Sequence, residues 1–420
     1  MMAGLGIVVL LFGLIALRQN IVVILLAIAA YVHLVWADGD LTYLVEDMWL
    51  ALDNDVLLAV PMFLIAGNLM TRGSIARRLI EVARLITAPI PGGLGVATIL
   101  SCAIFAAISG SSPVTLLAVG SVLYPALIEN GYSKKFALGA LTSGGTLGII
   151  IPPSIPLILY GVVTEHSIAS LFLAGIIPGL MLTAAMSGYA LIVNRHIPTA
   201  PFDPRALWEA LRRGIWAILM PIILLGGIYS GMFSPTEAAA VALFYGLIVE
   251  AFIHRELGVK DVYRTMVDTA RTLGMLFPII AVALSLKNVL TIEGIPQMMA
   301  DWIAITTGSK VAFLLATNVM LLVVGCFFDV VSSILILGPL LLAAAQTFGI
   351  DPIHFGVIMA INLEIGFLTP PIGLNLIVAM SVFRARFSEI CFAVIPFVAI
   401  IGVVLLLVTF IPQLSLWLVN

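Results

Sequence analysis

The chain has 420 residues, 62% of them apolar and only 10% charged, where soluble domains run nearer a quarter charged. A net charge of −3 leaves no basic surplus for a nucleic-acid partner, and the three cysteines (Cys102, Cys326 and Cys391) are too widely spaced for a metal motif or a disulfide framework. The composition points to an all-α polytopic membrane protein.

The first apolar run, Leu5 to Leu17, lacks the basic start and small-residue cleavage site of a signal peptide, so a retained helix is expected. A span needs about 20 apolar residues. In chain order, spans are expected at 2–17, 20–36, 56–71, 136–162, 167–194, 214–230, 236–253, 272–290, 353–383 and 388–418. Two longer apolar blocks, 94–125 and 311–347, break near their middles. Each is either one overlong span or a hairpin that enters and leaves on the same side.

Lysine and arginine decide between these options, because short cytoplasmic loops collect them. With both blocks as hairpins and the N-terminus outside, 17 of the 19 basic residues become cytoplasmic. The exceptions are Lys287, within a span, where it is expected to snorkel, and Lys310. If the first block spanned, Lys134 and Lys135 would move outside and every later loop would invert. The expectation is therefore about ten transmembrane helices plus two re-entrant hairpins, with both termini outside. An outer loop gathers Asp38, Asp40, Glu46, Asp47, Asp53 and Asp55 with no basic residue. It is either a solvated loop or a docking surface, with Asp38, Asp40, Glu46 and Asp47 as the contacts. Two basic stretches read as interfacial helices, Arg72–Ile86 and Asp203–Arg213, the latter capped by Asp203 with Pro204 at its first helical position.

The sequence repeats internally. At an offset of 218, "GIIIPPSIPLILYG" (Gly148 to Gly161) aligns with "GFLTPPIGLNLIVA" (Gly366 to Ala379), so that Gly148, Pro152 and Pro153 meet Gly366, Pro370 and Pro371. Gly131 meets Gly349 and Pro178 meets Pro396 in the same register; the repeat covers about 58–178 and 276–396. The charge count opens the first hairpin to the cytoplasm and the second to the outside, so the repeats are inverted. Inverted repeats with broken helices are the layout of secondary transporters.

Adjacent prolines in an apolar run break a helix, and such a break is tolerated at membrane depth where it lines a cavity. The first half-helix ends in free carbonyls, near Gly148–Ile151 and Gly366–Thr369, which suit a hard cation. The second half begins at the prolines, and its N–H groups suit a carboxylate. Pro153, Ser154, Pro371 and Asn375 are therefore candidate substrate contacts. The hairpin middles match this design. "ISGSSPVT" offers Ser109, Gly110, Ser111 and Ser112, with Pro113 opening the second arm. "CFFDVVSS" lands on the same place, with Asp329 at the position of Ser111, followed by Ser332 and Ser333. An acid at membrane depth is a functional candidate by default; Asp329 caps a helix, binds a cation, or both. Glu364 precedes the second break and faces either the site or the outer vestibule. The histidines fall mostly in or near loops and form no ligand pattern.

"SGSSPVT", "GIIIPPSIPLILYG", "FSPTEAAAVA" (Phe233 to Ala242) and "GIDPIHFGVIMAINLEIGFLTPPIGLN" (Gly349 to Asn375) together resemble the large membrane subunit of the tripartite ATP-independent periplasmic (TRAP) transporters, over essentially the whole chain. The resemblance implies a sodium-coupled importer of organic acids (a C4-dicarboxylate, sugar acid or keto acid) in the bacterial inner membrane, working by an elevator mechanism. It implies two partners besides the bilayer, a periplasmic substrate-binding protein and a small four-helix membrane subunit, here expected as a separate chain. Carried over by motif, one sodium site uses Ser109, Gly110, Ser111, Ser112, Gly148 and Ile151. The other uses Asp329, Ser332, Gly366 and Thr369. Ser112, Pro153, Ser154, Ser333, Pro371 and Asn375 fall to the substrate. Many members carry proline after the hairpin acid, where this chain has Val330. The implied organisation is scaffold helices at 1–57, a transport repeat at 58–195, an interfacial arm with scaffold helices at 196–275, and a second transport repeat at 276–420.

Rival readings are a stand-alone sodium-coupled anion transporter of related elevator fold, a passive channel, and an intramembrane protease using Asp329 and Glu364 as an acid dyad. The chain has no HExxH and no Gly-x-Ser-Gly, and no enzyme activity is expected.

Overall fold

The computed structural model describes residues 2–17, 19–36 and 40–419, and among them every regular element is helical. Asp38 and Arg18 lie outside the described residues. In chain order the helices are α1 (Met2–Ala16), α2 (Ile21–Trp36), α3 (Thr42–Leu52), α4 (Ala59–Arg72), α5 (Ile75–Thr87), α6 (Gly93–Ser109), α7 (Ser112–Glu129), α8 (Lys134–Ile150), α9 (Ile155–Thr164) and α10 (Ile168–Asn194). They continue as α11 (Pro204–Tyr229), α12 (Pro235–Ile248), α13 (Val259–Ile292), α14 (Ile295–Thr307), α15 (Lys310–Phe327), α16 (Val330–Thr347), α17 (Pro352–Gly366), α18 (Leu374–Phe383), α19 (Phe387–Phe410) and the short α20 (Gln413–Leu416).

Local chemistry sets the boundaries. Ser133, Ser154, Ser167, Ser234, Ser309, Asp203, Asp329 and Asp351 each accept a backbone N–H in the first turn of the helix they precede. Pro204 follows its cap at the first helical position, as expected. The double prolines end α8 and α17, and both Pro152–Pro153 and Pro370–Pro371 bonds are cis.

Ten helices of the described residues are long and apolar enough to cross a membrane. They are not the same ten that the apolar runs suggest. Three are hairpin arms (α7, α15 and α16), while α2, α17 and α18 are shorter. Four boundaries differ from expectation. Asp203–Arg213 is no separate interfacial helix; it runs on into its span as one 26-residue helix, since Gly214 does not interrupt it. The expected span at 272–290 is the C-terminal part of a 34-residue helix. The acidic outer segment folds as α3, and α14 separates α13 from the second hairpin.

Contacts between distant loops gather the chain at two ends. At one end, Ser74 N–H donates to Glu250 (2.7 Å), Arg72 pairs with Asp268, Arg78 with Glu256 (3.5 Å), and Lys134 with Glu389 (2.7 Å). Ala200 N–H donates to the Ala88 carbonyl, and Gly95 N–H to the Tyr132 hydroxyl (3.2 Å), which closes the open end of the α6–α7 hairpin. At the other, Lys287 pairs with Glu165 (2.7 Å), Asn288 donates to Asp47 (3.4 Å), Thr236 to the Asp55 carbonyl (3.2 Å) and Tyr160 to the Pro352 carbonyl (2.9 Å). There Lys310 also donates to the Gly349 carbonyl (3.4 Å), closing the α15–α16 hairpin. The hairpins thus enter from opposite ends. At the centre stand α8 and α17, packed on each other and almost wholly buried, each against one hairpin.

Candidate functional site

Both hairpin tips meet a helix break. Gly110 takes φ +60°, and its carbonyl accepts Ile155 N–H at 3.1 Å, tying the first tip across the gap between α8 and α9. Any side chain at Gly110 would strike the Pro153 carbonyl oxygen, which lies 2.6 Å from the place of a Cβ. Gly148 has the reciprocal constraint, with the Ser111 carbonyl carbon at 2.8 Å. Across the molecule, the Cys326 carbonyl accepts Ile372 N–H at 3.2 Å, and a Cβ on Gly366 would fall 2.5 Å from the Gly325 Cα.

Of the residues expected in the first site, Ser109, Gly110, Ser111, Ser112 and Gly148 lie together at one tip, whereas the Ile151 side chain lies against Gly179 of α10. Ser109 Oγ lies 2.7 Å from Thr115 Oγ1 and buries completely. The half-helix after this break starts at Ile155, two residues beyond Pro153, and Ser154 caps it. Ser154 Oγ accepts Leu157 N–H at 3.3 Å and donates to the Ile149 carbonyl. At the second tip, Asp329 caps α16, its Oδ2 accepting Ser332 N–H (3.0 Å) and its Oδ1 the Ser332 hydroxyl (2.5 Å). Ser333 Oγ donates to the Asp329 carbonyl (2.9 Å), and Thr369 Oγ1 to the Ile365 carbonyl (2.8 Å). Here α18 begins only at Leu374, so Pro371 stands three residues outside it.

One side chain joins the two halves. Asn375 Nδ2 donates to Ser112 Oγ at 2.6 Å and to the Thr142 carbonyl at 3.2 Å, with all three residues buried. Both tips open on a cavity of about 370 Å³ lined by Gly110, Ser111, Ser112, Pro113, Asp329 and Val330, by Ile155, Phe367 and Leu374 beside the breaks, and by Thr272, Met275, Leu276 and Ile279 of α13. Among the described residues, Asp329 is its one charged lining residue. At the mouth of α7, Ser111 makes no side-chain cap, and Pro113 in the first turn brings no N–H of its own.

The remaining candidates lie elsewhere. Asp40 accepts Thr42 N–H (2.8 Å) just ahead of α3, and Glu46 is exposed. Asp47 turns inward toward His33 (3.7 Å) and Asn288, so it is the least available of the acidic set. Lys287 does not snorkel freely; it pairs with Glu165, whose carboxyl that hydrogen bond holds below the ordinary range. His33 and His354 are core residues, bonded to Ala29 and Ser415, rather than loop residues. Glu364 faces neither cavity nor vestibule. It is fully buried against α8, where Thr146 Oγ1 stands 2.5 Å from its Oε1. The α13 wall and this Thr146–Glu364 contact were absent from the sequence-based site. A signal existed for the second, since the two residues are 218 positions apart, the offset of the repeat.

A family model described as "Tripartite ATP-independent periplasmic transporter, DctM component" matches residues 8–414. The chain is 39% identical over 404 residues to the isethionate TRAP transporter permease protein DctMQ of Oleidesulfovibrio alaskensis, covering 93% of this chain but 62% of that longer protein. It is 43% identical over 371 residues to the C4-dicarboxylate TRAP transporter large permease protein DctM of Pseudomonas aeruginosa, covering 88% of this chain and 87% of that one. The fold is similar to that of the Alcanivorax borkumensis YdaH transporter, with a TM-score of 0.65 at 17% identity over 91% of this chain and 90% of the other.

Proposed function

The chain belongs to the family of DctM components of tripartite ATP-independent periplasmic transporters, and from that premise we propose that it is the permease of a sodium-coupled importer of an organic acid delivered by a periplasmic binding protein. The observation that carries this reading is the shared cavity. Two hairpin tips and two helix breaks border it, with Asp329 as its sole charged wall among the described residues. An organic anion entering that cavity meets no lysine or arginine to balance it. Helix N-termini and cations bound at oxygen-rich breaks supply the missing positive charge. Ser109 to Ser112 with Gly148 and Ile151 form the first sodium site, and Asp329 and Ser332 with Gly366 and Thr369 the second. Ser112 and Asn375, already bonded to each other, are the leading substrate contacts, ahead of Pro153, Ser154, Ser333 and Pro371, which serve the breaks and tips.

The substrate class is an organic acid such as a C4-dicarboxylate, sugar acid or keto acid. Relatives named for C4-dicarboxylates, ectoine and 2,3-diketo-L-gulonate support a small polar solute without choosing among these. Hairpins entering from opposite ends support an inverted repeat, and with it an elevator motion of the hairpin-bearing units against α1–α3 and α11–α12. The end carrying Arg72, Arg78, Lys134 and Arg213 is cytoplasmic by the positive-inside rule, which leaves both termini periplasmic in the inner membrane. The small four-helix subunit and the binding protein complete the transporter.

The test is uptake into proteoliposomes holding this chain with its small subunit, driven by an inward sodium gradient. Uptake is expected to require both the binding protein and sodium. Transport without binding protein would favour the stand-alone anion transporter, and flux indifferent to the gradient a channel.

A further inference from the structure

The contact between α8 and α17 lies outside the cavity and outside both proposed sodium sites, yet it brings together several buried oxygens. Glu364 is completely buried, and no ion pair among the described residues includes it. Its Oε1 lies 2.5 Å from Thr146 Oγ1, and the same hydroxyl oxygen lies 2.6 Å from the Ser143 carbonyl oxygen. One hydroxyl proton serves only one of these acceptors. The second carboxylate oxygen, Glu364 Oε2, has no hydrogen-bond partner. On the same stretch of α8 and on α18, the buried oxygens Thr142 Oγ1, Ser143 Oγ and Asn375 Oδ1 also lack partners among the described residues. These residues form one connected group, because Asn375 donates to the Thr142 carbonyl and Thr142 stands one turn before Thr146 on α8.

A buried carboxylate without a positive partner is among the costliest groups a membrane-embedded core can hold. Carboxylate, carbonyl and hydroxyl oxygens are the ligands a hard cation prefers. We propose that Glu364, Thr146 and the Ser143 carbonyl form a third cation site, taking a sodium ion, with Thr142 and Asn375 supplying its edge. The inference rests on the sodium-coupled reading and extends it. Its place is notable for a physical reason. Thr146 and Glu364 are separated by the repeat offset of 218, so they are corresponding positions of the two halves in contact. Corresponding positions touch where two related units meet. A cation there bridges the halves, and through Asn375 it reaches Ser112 at the first hairpin tip.

The experiment is a sodium titration of uptake by the reconstituted complex, with wild type and Glu364→Gln side by side, at two pH values. Glutamine keeps the shape, removes the charge and offers the missing donor. The Hill coefficient for sodium is expected to fall by about one and half-saturating sodium to rise by about tenfold. If Glu364→Gln does not fold, Thr146→Val carries the same expectation, since it removes one ligand oxygen at constant volume. Sodium-dependent thermal stabilisation of each purified complex is expected to weaken in parallel. A sodium-dependent wild type whose variants keep the same Hill coefficient and half-saturation overturns this site while leaving the coupled reading intact. A changed pH dependence at unchanged sodium dependence assigns the position to a proton and also overturns it. A wild type indifferent to sodium removes both readings together.

Discussion

The two hairpin tips occupy corresponding places in the chain but are built in different ways. The first is sunk in protein. Ser109 and Ser112 are buried, the short break beside it (Ile151 to Ser154) is closed over, and α8 accepts the hairpin through Gly144, Gly145 and Gly148. The second is open on one side. Its break runs from Phe367 to Gly373, with Pro370, Pro371 and Ile372 exposed, and the outer face of α15 presents Leu315, Val319, Val323 and Phe327. Their helix starts differ too. Asp329 fills the N-terminus of α16 with its own carboxylate, whereas the Ser111 side chain makes no cap on α7. A negative cap calls for a cation. One architecture thus yields a rigid, uncharged tip and a looser one that carries its own negative charge.

That contrast can be broken first at the prolines. Replacing Pro152 and Pro153 together by alanine lets α8 and α9 join, since alanine in a helix interior is favoured over proline by about 3 kcal/mol. A continuous helix would remove the gap that Gly110 bridges. Transport is expected to fall below detection in a protein that still inserts and unfolds cooperatively. The same change at Pro370 and Pro371 is expected to cost transport as well but to leave a larger residue of activity, because that break is longer and exposed. Near-normal transport by a folded Pro152/Pro153 variant would reduce the prolines to kinks.

The glycine seats give the next largest effect. Gly148→Ala places a methyl against the Ser111 backbone and Gly366→Ala one against Gly325. Overpacking of this kind costs about 1–3 kcal/mol. The upper end is expected for Gly148, whose hairpin is wedged, and the lower for Gly366, where α15 has room to move outward. Thermal unfolding of the two variants measures the difference, and equal losses would deny that the tips differ in rigidity.

A smaller effect is expected where the halves are joined. Asn375→Ala removes the bonds to Ser112 and Thr142, at about 1 kcal/mol each. Thr369→Val removes one bond at the half-exposed break and is expected to cost less than half as much. Smallest of all is Lys287→Ala. Its partner Glu165 is largely exposed, and such pairs contribute under about 1 kcal/mol. The lowered carboxyl of Glu165 means that this contribution is present at neutral pH and fades as pH falls through its folded value. Denaturation curves of wild type and variant should accordingly converge in acid, and divergence there would misassign the pair.

How much of this was legible beforehand depends on the kind of signal. Apolar runs located the long helices, and the cap Asp203 marked the start of one of them. The basic stretch Arg72–Ile86 does fold as the amphipathic α5, but two other short helices escaped. The 11 residues of α3 and the 13 of α14 are too short and too polar to register as spans, and the acids around α3 made that segment read as a loop. The boundary drawn at Arg213 followed a change of charge, but charge does not stop a helix; only backbone chemistry does. Both hairpin tips and both breaks were legible because glycine, proline, serine and aspartate announce special backbone. The α13 wall was not, since Met275 and Ile279 look like any lipid-facing pair until the fold sets them opposite Asp329. Glu364 was noticed as an acid, but its partner required two helices to cross, and only the shared offset with Thr146 hinted at it.

The central claim is that the acid-capped tip senses sodium. Sodium-driven uptake of substrate by the complete complex, compared between wild type and Asp329→Asn across a sodium titration, tests it most directly. Asparagine still caps α16, so the protein should assemble and unfold much as before, within about 1 kcal/mol. The account expects half-saturating sodium to rise by about tenfold, with uptake recovering at high sodium. An assembled Asp329→Asn complex with the sodium dependence of the wild type would contradict the account and leave Asp329 as a helix cap alone.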